Sequence, residues 1–156
     1  MVKFLDIELA FQFVSGAEYG MNSATLSKKT GQIYFESGLG DSDELPEDID
    51  DEDLYIQIPH KRDLDLGIQL VREYVSAHLP EKADEVEAFF RSRGAYSRYK
   101  ELLSWSNALD KWYKFEEERT ETALKKWCVQ NTIQIEEGDT GNRTIGSNGE
   151  NAVYDG

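Results

Sequence analysis

Apolar positions along this chain recur first at helical spacing, then at every second residue, then at helical spacing again. Ile7, Phe11 and Val14 fall at i, i+4 and i+7, which predicts a short helix over about residues 7–15. Asp6 stands where an N-cap belongs, and Gly16 where the helix would stop. Ala24 and Leu26 then alternate with Ser23, Thr25 and Ser27, and Ile33 and Phe35 alternate with Gln32, Tyr34 and Glu36. Between the two runs, Lys28-Lys29-Thr30-Gly31 predicts a type I turn closed by a left-handed glycine, and hence a β-hairpin. Tyr55-Ile56-Gln57-Ile58 reads as a third strand, ended by Pro59. Three antiparallel strands with one apolar face are not stable alone, so helices must cover that face.

The second half supplies them. Asp63 is placed to cap a helix whose stripe is Leu64, Ile68, Val71, Val75 and Leu79. Leu79-Pro80 interrupts it, and Pro80 suits the first position of the next helix, which carries Val86, Phe89 and Phe90 and stops at Gly94. Tyr96, Tyr99, Leu102 and Leu103 mark another helix, ended by Ser106-Asn107. A longer one over about 108–130 presents Leu109, Trp112, Tyr113, Leu124, Trp127 and Cys128, and Ile133 and Ile135 predict a short closing strand or extended arm. The expected fold is α+β: a small three-stranded antiparallel sheet, hairpin plus one strand, covered by about five helices in a single domain over 1–137. Residues 138–156 contain five glycines and few apolar side chains, which predicts a flexible Gly-rich tail.

Composition sharpens this picture. Seven Phe, eight Tyr and three Trp in 156 residues are ample for a packed core, and no apolar run approaches a membrane span. One cysteine, Cys128, excludes an internal disulfide framework and a thiolate zinc site. Met1 to Asp6 does not read as a secretory signal, so the expected compartment is the cytoplasm. The formal net charge is −14, from 17 Lys and Arg against 31 Asp and Glu. That balance argues against nucleic-acid binding over the whole surface. Most of it resides in one place. Residues 41–53 contain Asp41, Asp43, Glu44, Glu47, Asp48, Asp50, Asp51, Glu52 and Asp53 and no base. The charge therefore marks a single acidic loop and leaves phosphate binding open for the remainder.

Five stretches carry a family resemblance: Thr30-Gly31-Gln32-Ile33-Tyr34; Glu44-Leu45-Pro46-Glu47-Asp48-Ile49-Asp50-Asp51; Tyr55 through Gly67; Phe90 through Lys100; and Trp112-Tyr113-Lys114-Phe115-Glu116. Together, and in this order over about residues 3–136, they closely resemble the bacterial Uncharacterised Protein Family 0158. The resemblance implies a small bacterial cytoplasmic protein. It carries over no activity, substrate, cofactor or catalytic residue.

Three constellations could hold chemistry. The acidic loop places Asp41, Asp43 and Glu52 at positions 1, 3 and 12 of a calcium loop, but Leu45 and Pro46 occupy positions 5 and 6, where a ligand and a glycine are needed. A solvated loop, or one that docks a basic partner while Leu45 and Ile49 pin it to the core, fits better. No metal or cofactor is expected. His60-Lys61-Arg62-Asp63 lies between a strand end and a helix start, where backbone N–H groups and two cations could hold an anion, although Asp63 as a cap with Arg62 paired to the acidic loop is the favoured reading. Arg91, Arg93, Arg98 and Lys100 interleave with Phe89, Phe90, Tyr96 and Tyr99. Arginines among aromatics stack bases or hold phosphate, yet the same aromatics match a core face. Glu116, Glu117 and Glu118 diverge around a helix and make no acid–base dyad. No nucleophile elbow, phosphate-cradling loop or zinc-protease helix occurs.

The leading expectation is a non-enzymatic interaction or regulatory module whose acidic loop meets a basic protein partner. The alternative is a nucleotide- or RNA-phosphate-binding protein, or an enzyme that processes such a ligand, using His60, Lys61, Arg62, Arg91, Arg93, Tyr96, Arg98 and Lys100. It requires those cations to converge. A third reading, an acidic nucleic-acid mimic that inhibits a DNA-binding partner, requires acidity spread along a face and ranks last. No membrane partner is expected, and the sequence leaves the oligomeric state open.

Overall fold

A two-residue strand, β1 (Val2–Lys3), runs directly into helix α1 (Phe4–Ser15) in the computed structural model, which describes residues 1–136. The hairpin follows as β2 (Asn22–Ser27) and β3 (Ile33–Ser37), and the third strand as β4 (Tyr55–Gln57). Four helices come next: α2 (Ile68–His78), α3 (Ala83–Phe89), α4 (Ala95–Trp105) and α5 (Leu109–Gln130). Strand β5 (Ile135–Glu136) pairs in parallel with β1, Val2 opposite Ile135. The architecture is α+β, with a three-stranded antiparallel sheet and five helices. The expected tail, 138–156, lies outside the described residues.

The described chain divides into two compact units. The first comprises Met1–His60 together with the stretch from Leu124 onward, and the second Lys61–Ala123. In the first unit the sheet order is β3-β2-β4, so the middle strand is the first arm of the hairpin. Its register places Leu26 opposite both Ile33 and Ile56, and Thr25 opposite both Tyr34 and Gln57. Side chains alternate across a strand, so Ala24, Leu26, Ile33 and Phe35 share one face. Helix α1 covers that face with Phe4, Ile7, Phe11 and Val14, and the Phe13 and Phe35 rings meet edge-on at 5.2 Å. The opposite face is polar, with Thr25, Tyr34, Glu36 and Gln57. Gly31 takes the left-handed φ of +80° that the turn requires, where a side chain would be strained.

The second unit centres on aromatic packing. Trp112, Tyr99, Leu103, Leu70, Val71 and Val75 are fully buried. Trp112 is met edge-on by Tyr99 at 5.0 Å and by Tyr74 at 5.4 Å, an arrangement favoured by the ring quadrupoles.

Three boundaries depart from the sequence pattern, each because burial overrides a local signal. Helix α1 begins three residues before the expected start and has no side-chain cap. The apolar stripe reaches back to Phe4, and Asp6 becomes a first-turn acid facing the positive helix end. Asp63 does not cap α2. It lies in a 3-10 turn, Lys61–Leu64, after which Asp65 turns left-handed (φ 56°) and Gly67 precedes the helix. The buried face of α2 is accordingly Leu70, Val71, Tyr74 and Val75, whereas Leu64 and Leu79 are only half-buried. Gly94 does not end α3, which stops at Phe89. Its left-handed φ of 75° instead introduces α4.

Candidate functional site

The acidic loop is a tethered structure. Residues 41–43 run back along the free edge of β3: Ser37 N–H donates to the Asp41 carbonyl (2.9 Å), and Asp43 N–H donates to the Phe35 carbonyl (2.8 Å). The Asp43 carboxylate in turn accepts Phe35 N–H at 2.8 Å, so one aspartate clamps both backbone groups of one strand residue. This covers an edge that would otherwise present unpaired backbone. Beyond Pro46 the chain turns twice, with Asp51 Oδ1 accepting Asp53 N–H (2.9 Å) and Asp48 Oδ1 accepting the Tyr55 hydroxyl (2.8 Å). The latter bond holds the Tyr55 phenol above its ordinary pKa. Lys28 donates to the Glu52 carbonyl at 2.9 Å, and Leu45 and Ile49 are half-buried. Among the described residues, none of the nine loop carboxylates forms an ion pair.

Under the loop lies an open groove of about 550 Å³ on the polar face of the sheet. Thr25 and Gln57 form part of its floor, Glu36 and Lys28 flank it, and Asp50 and Glu52 come from the loop. None of Thr25, Lys28, Glu36 and Gln57 stands out as a candidate in the sequence. Their signal is nevertheless present in the polar positions of the hairpin alternation, which mark the second sheet face.

The basic residues distribute differently. His60 is buried, with Nε2 3.1 Å from the Ala17 carbonyl and its ring against Tyr19 at 5.2 Å. In the second unit, Lys61 sits over the Tyr96 ring at 4.4 Å and Lys100 over the Tyr113 ring at 5.6 Å. Both lysines act on the Glu116 carboxyl, which is half-buried. Burial pushes the Glu116 pKa up, and the two ammonium groups only partly offset this. Burial likewise lowers Lys61 and raises Tyr96. Arg98 donates to the Ser92 hydroxyl (2.8 Å), while Arg91 acts on Glu87, itself held in two hydrogen bonds by Arg72. Arg62 and Arg93 are exposed. Among the described residues, no group of three or more His, Cys, Asp or Glu is arranged to hold a metal, and no helix is long and apolar enough to cross a membrane.

A carboxyl whose folded pKa is raised contributes most to stability below its unfolded value of about 4.5, and that contribution is lost as pH rises through the folded value. Glu73 and Glu87, depressed by Arg119 and Arg72, behave oppositely, contributing at neutral pH and losing the contribution in acid. Glu116→Gln should therefore gain on the wild-type melting temperature progressively as pH rises from about 4 toward 7. A melting-temperature difference that stays constant or narrows over that range contradicts this.

A sequence model described as an uncharacterised protein family (UPF0158) matches residues 25–140. That range takes in the hairpin from Thr25 onward, the acidic loop and helices α2 to α5. No curated protein and no solved structure matches the chain.

Proposed function

For a chain that belongs to the Uncharacterised protein family (UPF0158), whose description names no activity, we propose a protein-interaction or regulatory module whose acidic loop, 41–53, docks a basic protein partner. One observation carries this reading: nine carboxylates are held on a tethered loop without one ion pair among the described residues. Concentrated charge of one sign repels itself and lowers stability, and a basic partner would relieve that repulsion on docking. Such a surface also steers a cationic partner, raising its on-rate most at low ionic strength. The phosphate-binding alternative draws less support, because the two cations gathered in the second unit share the Glu116 carboxyl.

The test replaces Asp41, Glu44, Glu47, Asp50 and Asp53 by their amides, leaving Asp43, Asp48 and Asp51, which hold the loop by hydrogen bonds. Partners captured from bacterial lysate, with and without nuclease, are compared between wild type and variant across a salt series. A basic protein retained by wild type at low salt, and at least about tenfold weaker on the variant, is the expected outcome, since each lost charged contact weakens binding. Equal capture by both proteins, or capture that disappears with nuclease, rejects the reading.

A further inference from the structure

The groove beneath the loop has a lining that selects among cations. We propose that it seats an arginine side chain of the basic partner, an inference that rests on the loop-docking reading above. Its volume of about 550 Å³ lies within the range of built ligand clefts. Three carboxylates, Glu36 from β3 and Asp50 and Glu52 from the loop, approach it from different elements. The one ammonium in its wall, Lys28, is committed to the Glu52 backbone carbonyl at 2.9 Å and to no carboxylate among the described residues.

The floor supplies the second, independent observation. Thr25 is 6% exposed and lines the groove, and its side chain makes no hydrogen bond among the described residues. Its hydroxyl has no partner within the described protein and is open to the groove, so a donor or acceptor arriving there gains a hydrogen bond from an otherwise buried residue. Thr25 points this way because Ala24 and Leu26 take the opposite face against α1.

A guanidinium fits this set better than an ammonium. Its five N–H donors lie in one plane and reach carboxylates on two sides at once, whereas an ammonium acts as a point charge. The Tyr55 ring and the half-buried Ile49 side chain also line the groove and offer apolar surface for an aromatic stack and an aliphatic stem.

The test titrates the full chain, followed by amide NMR, with three blocked tripeptides: Gly-Arg-Gly and its lysine and citrulline counterparts. The arginine peptide is expected to shift the amides of Thr25, Gln57 and Asn131 at low salt, the lysine peptide to bind more weakly, and the neutral citrulline peptide not to bind. Glu36→Gln and Asp50→Asn should each weaken the arginine peptide about tenfold. Thr25→Val, checked for an unchanged melting temperature, should weaken it as well. Glu44→Gln with Glu47→Gln, outside the groove, should leave binding as it was. Equal binding of the lysine or citrulline peptide, or equal weakening by the outer pair, overturns the inference. The two readings fail separately. If loop neutralisation abolishes partner capture while Glu36→Gln and Thr25→Val do not weaken it, docking stands and the arginine seat falls. If the arginine peptide seats in the groove and no partner responds to loop charge, docking falls.

Discussion

Trp112→Ala is expected to destabilise the protein by about 3–5 kcal/mol, as befits the largest fully buried side chain of the second unit. The indole is 1% exposed and lies in edge-on or tilted contact with Tyr74, Tyr99 and Phe115. Its removal forfeits the buried area and these ring pairs, each worth about 0.5–1.5 kcal/mol beyond area. It also leaves a cavity among side chains from three helices that cannot all close in together. Since small domains are stable by only about 5–15 kcal/mol, a loss of this size should lower the denaturant midpoint markedly. Trp105, the last residue of α4, is the internal control. It is 84% exposed, and Trp105→Ala should change stability by no more than about 0.5 kcal/mol. Chemical denaturation of both variants decides the matter, and similar midpoints for the two contradict it. Trp112→Phe should fall between them. It keeps most of the packing and deletes an indole N–H that has no hydrogen-bond partner among the described residues.

Leu26→Ala should cost about 2–5 kcal/mol, toward the upper end of that range. Leu26 is fully buried in the middle strand, bonded on one side to β3 and on the other to β4. A strand laddered on both edges cannot shift to fill the space its side chain leaves, so the cavity persists. The loss also bears on the proposed docking face, because β2 carries Leu26 on one side and Thr25 on the other. Hydrogen exchange should report it: amides of Ala24 to Ser27 should lose protection together with the global transition. Retention of wild-type protection in β2 would contradict the prediction.

Much of the fold was legible in residue order. The hairpin could be placed almost to the residue, because Gly31 at the turn and strict alternation on both sides leave one register that keeps Leu26, Ile33 and Phe35 together. Helix α5 was equally plain, since its apolar positions hold helical spacing over several turns. The caps were less legible. Asp6 and Asp63 are acceptable N-cap residues by type, yet neither caps a helix, because the helix starts are set by which apolar residues reach the core. Strand β1 escaped notice because two residues carry no period. It exists through its partner β5, at the far end of the described chain.

The candidate site divides along the same line. Sequence alone determined that the acidic charge is concentrated in 41–53, because composition and position are properties of the chain itself. It also determined that this segment holds no cation of its own to neutralise it. Tertiary structure decided what the loop stands over. The polar side of β2, β3 and β4 gathers Thr25, Glu36 and Gln57 only once the register is set, and the Asp43 and Tyr55 bonds bring Asp50 and Glu52 to the same groove. It likewise decided that Lys61 and Lys100 both act on Glu116, residues separated in sequence and joined by helix packing. Charge content is additive along a chain and can be counted from it. Convergence depends on long-range contacts, whose closure entropy is offset only by the burial of a complete core.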